Sequence, residues 1–192
     1  MAGILKPDKG DVCFENNSVF KRGVSKNMGF VAQYDSLFED LSVKDNIRFW
    51  AGASDVKLRD FNDNKYIKLL GIDEFKKKKV KAISGGMKKR LSICISLIND
   101  PKFIILDEPF SGLDLFYKSE LISCLKNLKN LGKTIVYTSH NSDEISDLSD
   151  YTCVINDSKI IFNQKTEELL SYGSNLNDTL MKLIKGENLI YG

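Results

Sequence analysis

The chain has no apolar run approaching the 18 or so residues that a membrane-spanning helix requires, so no such helix is expected. It has no Cys-x-x-Cys pair either, because Cys13, Cys94, Cys124 and Cys153 lie far apart. That spacing argues against a zinc site or a dense disulfide framework, and predicts reduced, mostly buried thiols. Charge of one sign is also missing. The 28 basic and 26 acidic residues leave a formal net charge of +2, which gives no electrostatic reason to expect nucleic acid or an anionic membrane as a partner. The segment Met1 to Pro7 lacks a basic stretch followed by an apolar one and a cleavage site, so no secretory leader is expected. Repeats and low-complexity linkers are absent. What is present, 42% hydrophobic and 28% charged residues over 192 positions, has the balance of a cytosolic globular domain.

Hydrophobic periodicity supplies the layout. Asn27 to Gln33 reads as a short buried strand, and Ser42 stands as a helix cap before Val43, Ile47 and Trp50 at helical spacing. Two or three helices are expected between Val43 and Leu70, with a polar break near Ala53 to Asn64. The run Lys76 to Lys79 reads as a solvated helix face. Met87, Leu91, Cys94, Ile95 and Ile98 mark a one-faced helix after Gly85-Gly86. Phe103 to Leu106 is a continuous apolar run, as in a parallel strand buried on both faces. A helix from Leu115 to Leu131, a strand from Thr134 to Thr138 and a helix from Ser142 to Leu148 follow. The chain ends with a hairpin around Asn156-Asp157-Ser158 and helices near Thr166 to Ser171 and Leu176 to Ile184. Strands alternating with helices predict an α/β fold with a mostly parallel sheet.

The chemistry concentrates at strand ends. Phe103 to Leu106 leads directly into Asp107-Glu108-Pro109. Paired carboxylates at the carboxyl end of a buried parallel strand suit a divalent ion: one holds Mg²⁺ and the other takes a proton from an attacking water. Ser84-Gly85-Gly86 opens a helix, where amides and a hydroxyl form a phosphate site. Gln33 and His140 close two other strands, and Ser111-Gly112-Leu113-Asp114 follows the acidic pair. Each signal alone is weak; a lone Ser-Gly-Gly is usually a turn and a lone histidine usually structural.

In this order, the set resembles the nucleotide-binding subunit of an ABC (ATP-binding cassette) transporter. Ile83-Ser84-Gly85-Gly86-Met87 resembles the family's LSGGQ signature with Met87 in place of Gln. Ile104 to Pro109 resembles the Walker B strand with its catalytic glutamate, Ser111 to Asp114 the D-loop, His140 the switch histidine and Gln33 the Q-loop glutamine. The resemblance implies an α/β P-loop NTPase cassette, one domain over residues 1–192, with a helical subdomain at about 36–98 and a carboxy-terminal hairpin and helices at about 151–192. It implies ATP and Mg²⁺ as cofactors. Asp107 and Gln33 would face the metal, Glu108 would act as general base, and His140 would touch the γ-phosphate. Ser84, Gly85 and Gly86 would serve a nucleotide held by a second cassette, in a homo- or heterodimer, and Asp114 would reach across that dimer. A transmembrane permease would dock near Gln33 to Trp50, holding the protein at the inner face of the cell membrane. No nucleic acid is implied: chromosome-structure ATPases share these motifs but carry long heptads that are missing here.

The family's Walker A P-loop, Gly-x-x-x-x-Gly-Lys-Ser/Thr, has no counterpart in these 192 residues, nor has the aromatic residue that stacks on adenine. Gly132-Lys133-Thr134 fails as a substitute, because Asn127 stands where the first glycine must be and a helix precedes it while a strand follows. The expectation is a cassette lacking its amino-terminal part, roughly 30 residues or more for one strand–loop–helix unit, and inactive by itself. A non-hydrolysing partner that lends only its signature loop is the alternative.

Overall fold

The computed structural model describes residues 3, 5–21, 24–56, 64–173 and 175–186. They form two compact units, Met1–Thr138 and Ser139–Gly192. Part of the polar break expected after Ala53 and part of the stretch after Gly173 lie outside the described residues.

The first unit opens with a small hairpin, β1 (Cys13–Phe14) and β2 (Asn17–Ser18), whose turn residues Glu15 and Asn16 both have positive φ. Its centre is a parallel sheet of β3 (Met28–Val31), β4 (Phe103–Leu106) and β5 (Thr134–Tyr137), with β4 in the middle. Ile104, Ile105 and Leu106 are all buried, as the unbroken apolar run requires. Pairing is in register, with Val31 beside Leu106 and Leu106 beside Tyr137. The three strands therefore end level, and the residues that follow them emerge along one edge. Strand β3 is shorter than expected, so Gln33 stands two residues past its end.

Between β3 and β4 the chain makes the helices α1 (Val43–Ala53), α2 (Lys65–Leu69) and α3 (Gly85–Ser96). Ser42 caps α1 by accepting from the Asp45 amide at 3.1 Å. Asn46, fully buried on α1, accepts from the Phe38 amide at 2.8 Å and donates to the Phe38 carbonyl at 3.0 Å. That one amide pins the loop after β3 to the helix. The lysine run is not a helix face. Its backbone lies beside the start of α1, where the Val43 amide donates to the Lys78 carbonyl and the Lys44 amide to the Lys76 carbonyl, each at 3.0 Å. Unpaired amides at a helix start need acceptors, and these carbonyls supply them while three of the ammonium groups remain exposed. Helix α4 (Leu115–Asn130) joins β4 to β5, buries Leu121, Leu125 and Leu128, and gives way to Gly132 at φ +80°.

Gly132-Lys133-Thr134 sits between α4 and β5, in the helix-to-strand order that no P-loop has. Lys133 instead serves the core: its Nζ donates to Asp100 Oδ1 at 2.6 Å and to the Pro101 carbonyl at 2.7 Å. Tyr66 and Lys65 approach the same carboxylate. Partial burial opposes ionisation of Asp100, but hydrogen bonds from Lys133, Tyr66 and Lys65 outweigh it and bring the carboxyl down to about 2. A depressed folded-state value means that the stabilisation is complete above the ordinary carboxyl value of 3.8 and is lost as the pH falls towards 2. The side chain is 60% exposed, so solvent screens the interaction. We expect Asp100→Asn to cost only about 1 kcal/mol at pH 6. Urea midpoints should show the gap between variant and parent closing between pH 4 and pH 2.

The second unit contains α5 (Ser142–Leu148), a hairpin of β6 (Tyr151–Asn156) and β7 (Lys159–Lys165), α6 (Thr166–Ser171) and α7 (Leu176–Lys185). Phe162, Leu169 and Leu176 form its core, with Ile145, Val154, Tyr172, Leu180 and Leu183 packed around them. Asp157 and Ser158, both at positive φ, make the hairpin turn read from the sequence. Of the four thiols, Cys94 and Cys124 are buried and Cys13 and Cys153 exposed, so the expectation of mostly buried cysteines holds for only two.

Candidate functional site

Asp107 and Glu108 emerge at the carboxyl end of β4 and are fixed by both neighbours. The Asp107 amide donates to the Val31 carbonyl at 2.9 Å, extending the pairing with β3 by one residue. From the β5 side, Thr138 Oγ1 donates to Asp107 Oδ1 at 2.7 Å and accepts from the Glu108 amide at 2.8 Å. One hydroxyl thus orients the first carboxylate and anchors the backbone of the second. Glu108 sits at φ +45°, a left-handed conformation that costs a non-glycine residue of order 1 kcal/mol or more. The turn after it is held by the Ser111 amide donating to the Glu108 carbonyl at 3.2 Å.

Ser84 caps α3, its Oγ accepting from the Met87 amide at 3.3 Å. A hydroxyl has one donor besides its acceptor sites, so the Ser84 O–H stays available for a further acceptor. The first amides of α3 have no intrahelical partner. The two glycines differ in role. A Cβ on Gly85 would meet only Leu113 Cδ2, at 3.8 Å. A Cβ on Gly86 would stand 2.6 Å from Tyr117 Cγ and 2.7 Å from Tyr117 Cβ. Gly86 is therefore required by the protein's own packing. This contact seats the start of α3 against the first turn of α4, which Asp114 caps by accepting from the Tyr117 amide at 2.9 Å.

Gln33 is exposed on the loop after β3, at the same end of the sheet as Asp107. His140 is exposed in the second unit, directly before Asn141, which caps α5 by accepting from the Asp143 amide at 2.9 Å. The structure thus groups Asp107 with Glu108, and Ser84 to Gly86 with residues 113–117; His140 belongs to the other unit. Sequence reasoning missed Thr138, Tyr117, Lys89 and Asn46. Thr138 carried one weak signal, a hydroxyl at the end of a strand beside the acidic one.

Among the described residues no group of three or more His, Cys, Asp or Glu side chains could hold a metal ion by itself. In phosphoryl chemistry Mg²⁺ takes one or two protein oxygens and completes its shell with phosphate oxygens and water. Asp107 and the Gln33 amide oxygen are donors of the right hardness. The P-loop sequence that would cradle the β- and γ-phosphates beside them does not occur in these 192 residues.

The parallel sheet flanked by helices, with acidic residues at the end of its central strand, places the chain among the α/β proteins. It belongs to the ABC transporter family, whose profile matches residues 1–111. The energy-coupling factor transporter ATP-binding protein EcfA3 of Oenococcus oeni is 34% identical over 193 residues, covering 94% of this chain and 67% of that protein. ABC transporter A family member 11 of Dictyostelium discoideum is 34% identical over 166 residues, covering 83% of this chain. Among solved structures, CbiO1 of Clostridium perfringens, part of the CbiONQ transporter complex, matches with a TM-score of 0.76 and 32% identity. The match covers 88% of this chain and 71% of CbiO1. The chain spans between 20% and 45% of the length of several of the curated relatives it matches.

Proposed function

We propose that these residues are the Walker B and signature part of an ABC transport ATPase, working with a P-loop that another segment or another cassette supplies. The observation that carries this is Thr138 locking Asp107 and Glu108 at the strand end, where a phosphate-bound metal would meet them. Mg-ATP, when bound, supplies the transferable phosphoryl group and its charge-neutralising metal. Asp107 would hold the metal through its carboxylate, and Gln33 would reach the same ion or the attacking water. Glu108 accepts the proton of that water; a γ-phosphate contact for His140 enters this reading only through its resemblance to the switch histidine. Ser84 O–H and the first amides of α3 serve a nucleotide held by a second cassette, with Asp114 at the contact between the two. Phosphoryl transfer depends on positioning, so without a P-loop these groups have nothing to act on.

The energy is delivered to a membrane permease. A cavity of about 260 Å³ beside the Gln33 loop is lined by Phe30, Tyr34, Leu37, Trp50 and Ile95. The exposed rings of Phe38 and Phe49 stack edge to face beside it, 4.6 Å between centroids. This is a socket suited to a short apolar helix of such a partner. Comparison with CbiO1, part of a transporter complex, supports that reading.

The test is ATP turnover by the purified 192-residue chain alone, mixed with the amino-terminal strand, P-loop and helix of a cassette, and mixed with a complete cassette whose own signature serine has been replaced. We expect no turnover above a Glu108→Gln blank when alone, turnover that needs Glu108 with the P-loop segment, and turnover that needs Ser84 with the complete cassette. Turnover by the chain alone would overturn the dependence on a supplied P-loop. Turnover with the complete cassette only, unchanged by Glu108→Gln, would favour the second reading, a non-hydrolysing partner contributing only Ser84 to Gly86. The absence of any Walker A sequence from these residues is what keeps that reading alive.

A further inference from the structure

Lys89 lies in the second turn of α3, five residues after the capping Ser84, and its side chain is only 5% exposed. An ammonium has three donors, and here three acceptors surround it. Nζ lies 3.1 Å from the Gln33 carbonyl, 3.4 Å from the Ala32 carbonyl and 3.3 Å from Asp35 Oδ1. Asp35 Oδ1 also accepts from Ser92 Oγ at 2.7 Å. Four residues beyond Ser92 on the same helix, the Ser96 carbonyl stands 2.9 Å from where a Cβ on Gly29 would be. Strand β3 and the loop after it are therefore tied to one face of α3 at three successive levels. Burying an ammonium is costly unless every donor is met, and an apolar side chain could fill the same space without that cost. The charge does something that packing alone does not: it grips two backbone carbonyls, one of them belonging to Gln33.

We propose that Lys89 is the positioning residue for Gln33, making the Gln33 loop and the signature end of α3 one mechanical element. The proposal rests on the functional reading above, in which Gln33 reaches the metal or water and Ser84 reaches a phosphate. A phosphate that draws in the first turn of α3 then carries Gln33 with it, because the ammonium links the two from the second turn of the same helix. Lys89 touches no substrate; it acts through the Gln33 backbone.

Amide hydrogen exchange on the 192-residue chain tests this without ATP turnover. Lys89→Met should accelerate exchange at the Phe38 amide, which ties the Gln33 loop to Asn46 Oδ1 at 2.8 Å, by about tenfold or more, while amides late in α3 and in β4 stay within about twofold of the parent. Equal acceleration through β3, α3 and β4 would reduce Lys89 to an ordinary stabilising group and overturn the proposal, as would no acceleration. If Lys89→Met does not fold, Asp35→Asn decides: it leaves Lys89 both carbonyls and should give a smaller acceleration at the same amide, and no change there overturns the proposal. A second readout is turnover in the mixture with the P-loop segment, where Gln33 and the nucleotide share one cassette. There Lys89→Met should lower kcat about tenfold with KM for ATP within about twofold, and Lys89→Gln, which keeps two N–H donors of the three, should recover part of the loss. Localised exchange without parental turnover would sink the functional reading and spare the positioning role; turnover without localised exchange would do the reverse.

Discussion

Gly86→Ala should destabilise the protein by about 1–3 kcal/mol, against what helix propensity alone would give. Alanine in a helix is favoured over glycine by about 1 kcal/mol, so an unconstrained Gly86 would gain stability on substitution. The obstacle is Tyr117. The new methyl group would lie 2.6–2.7 Å from its Cβ, Cγ and Cδ1, the root of the side chain, which cannot swing aside unless α4 moves. Gly85 is the control. With only Leu113 Cδ2 at 3.8 Å and no positive φ, Gly85→Ala should be neutral or stabilising by up to about 1 kcal/mol. Denaturant midpoints of the two variants therefore shift in opposite directions. Tyr117→Gly, which removes Cβ together with Cγ and Cδ1, should remove most of the penalty of Gly86→Ala, giving a coupling energy of about 1 kcal/mol or more in a double-mutant cycle. If Gly86→Ala is as stable as Gly85→Ala, the contact with Tyr117 is not a constraint. The outcome also separates two readings of a glycine pair. One residue leaves the backbone open to a ligand, and its neighbour lets two helices meet.

That distinction marks the limit of the sequence. Periodicity identifies β4 and α4 because their burial is a local pattern: an unbroken apolar run for the first, Leu121, Leu125 and Leu128 for the second. The acidic pair, the serine cap and the signature-like loop are contiguous and legible for the same reason. What escapes is any role created by a partner far along the chain. Thr138 meets Asp107 across 31 positions, and Lys89 meets Gln33 across 56. A lysine within Lys88-Lys89-Arg90 looks like surface charge, yet Lys89 and Arg90 are both buried. The opposite error occurred at Lys76 to Lys79, where charge suggested a helix face and the backbone instead pairs with the start of α1. In each case the side chain's chemistry was readable and its acceptor was not. Acceptors are set by the register of β3, β4 and β5 and by how closely α3 approaches β3.

Glu108→Gln should lower ATP turnover by about 10²- to 10⁴-fold in the mixture with an amino-terminal P-loop segment, where the nucleotide lies on the same cassette as this chain's acidic pair. The amide is close to isosteric and keeps the backbone bond to Thr138, so the loss isolates proton acceptance from geometry. Nucleotide affinity should change by less than about threefold, because the carboxylate matters only when water attacks. Thr138→Val makes the complementary case. It preserves shape and leaves Glu108 in place, but removes the hydroxyl that orients Asp107 and anchors the Glu108 amide. Freed from that anchor, a residue at φ +45° can relax, and turnover should fall by about tenfold, with more Mg²⁺ needed for half-maximal rate. Magnesium dependence therefore tells the two apart: unchanged for Glu108→Gln and shifted for Thr138→Val. Should Glu108→Gln keep more than about a tenth of the parental rate, the proton goes elsewhere. Glu108 would then be a strained turn residue held by its neighbours.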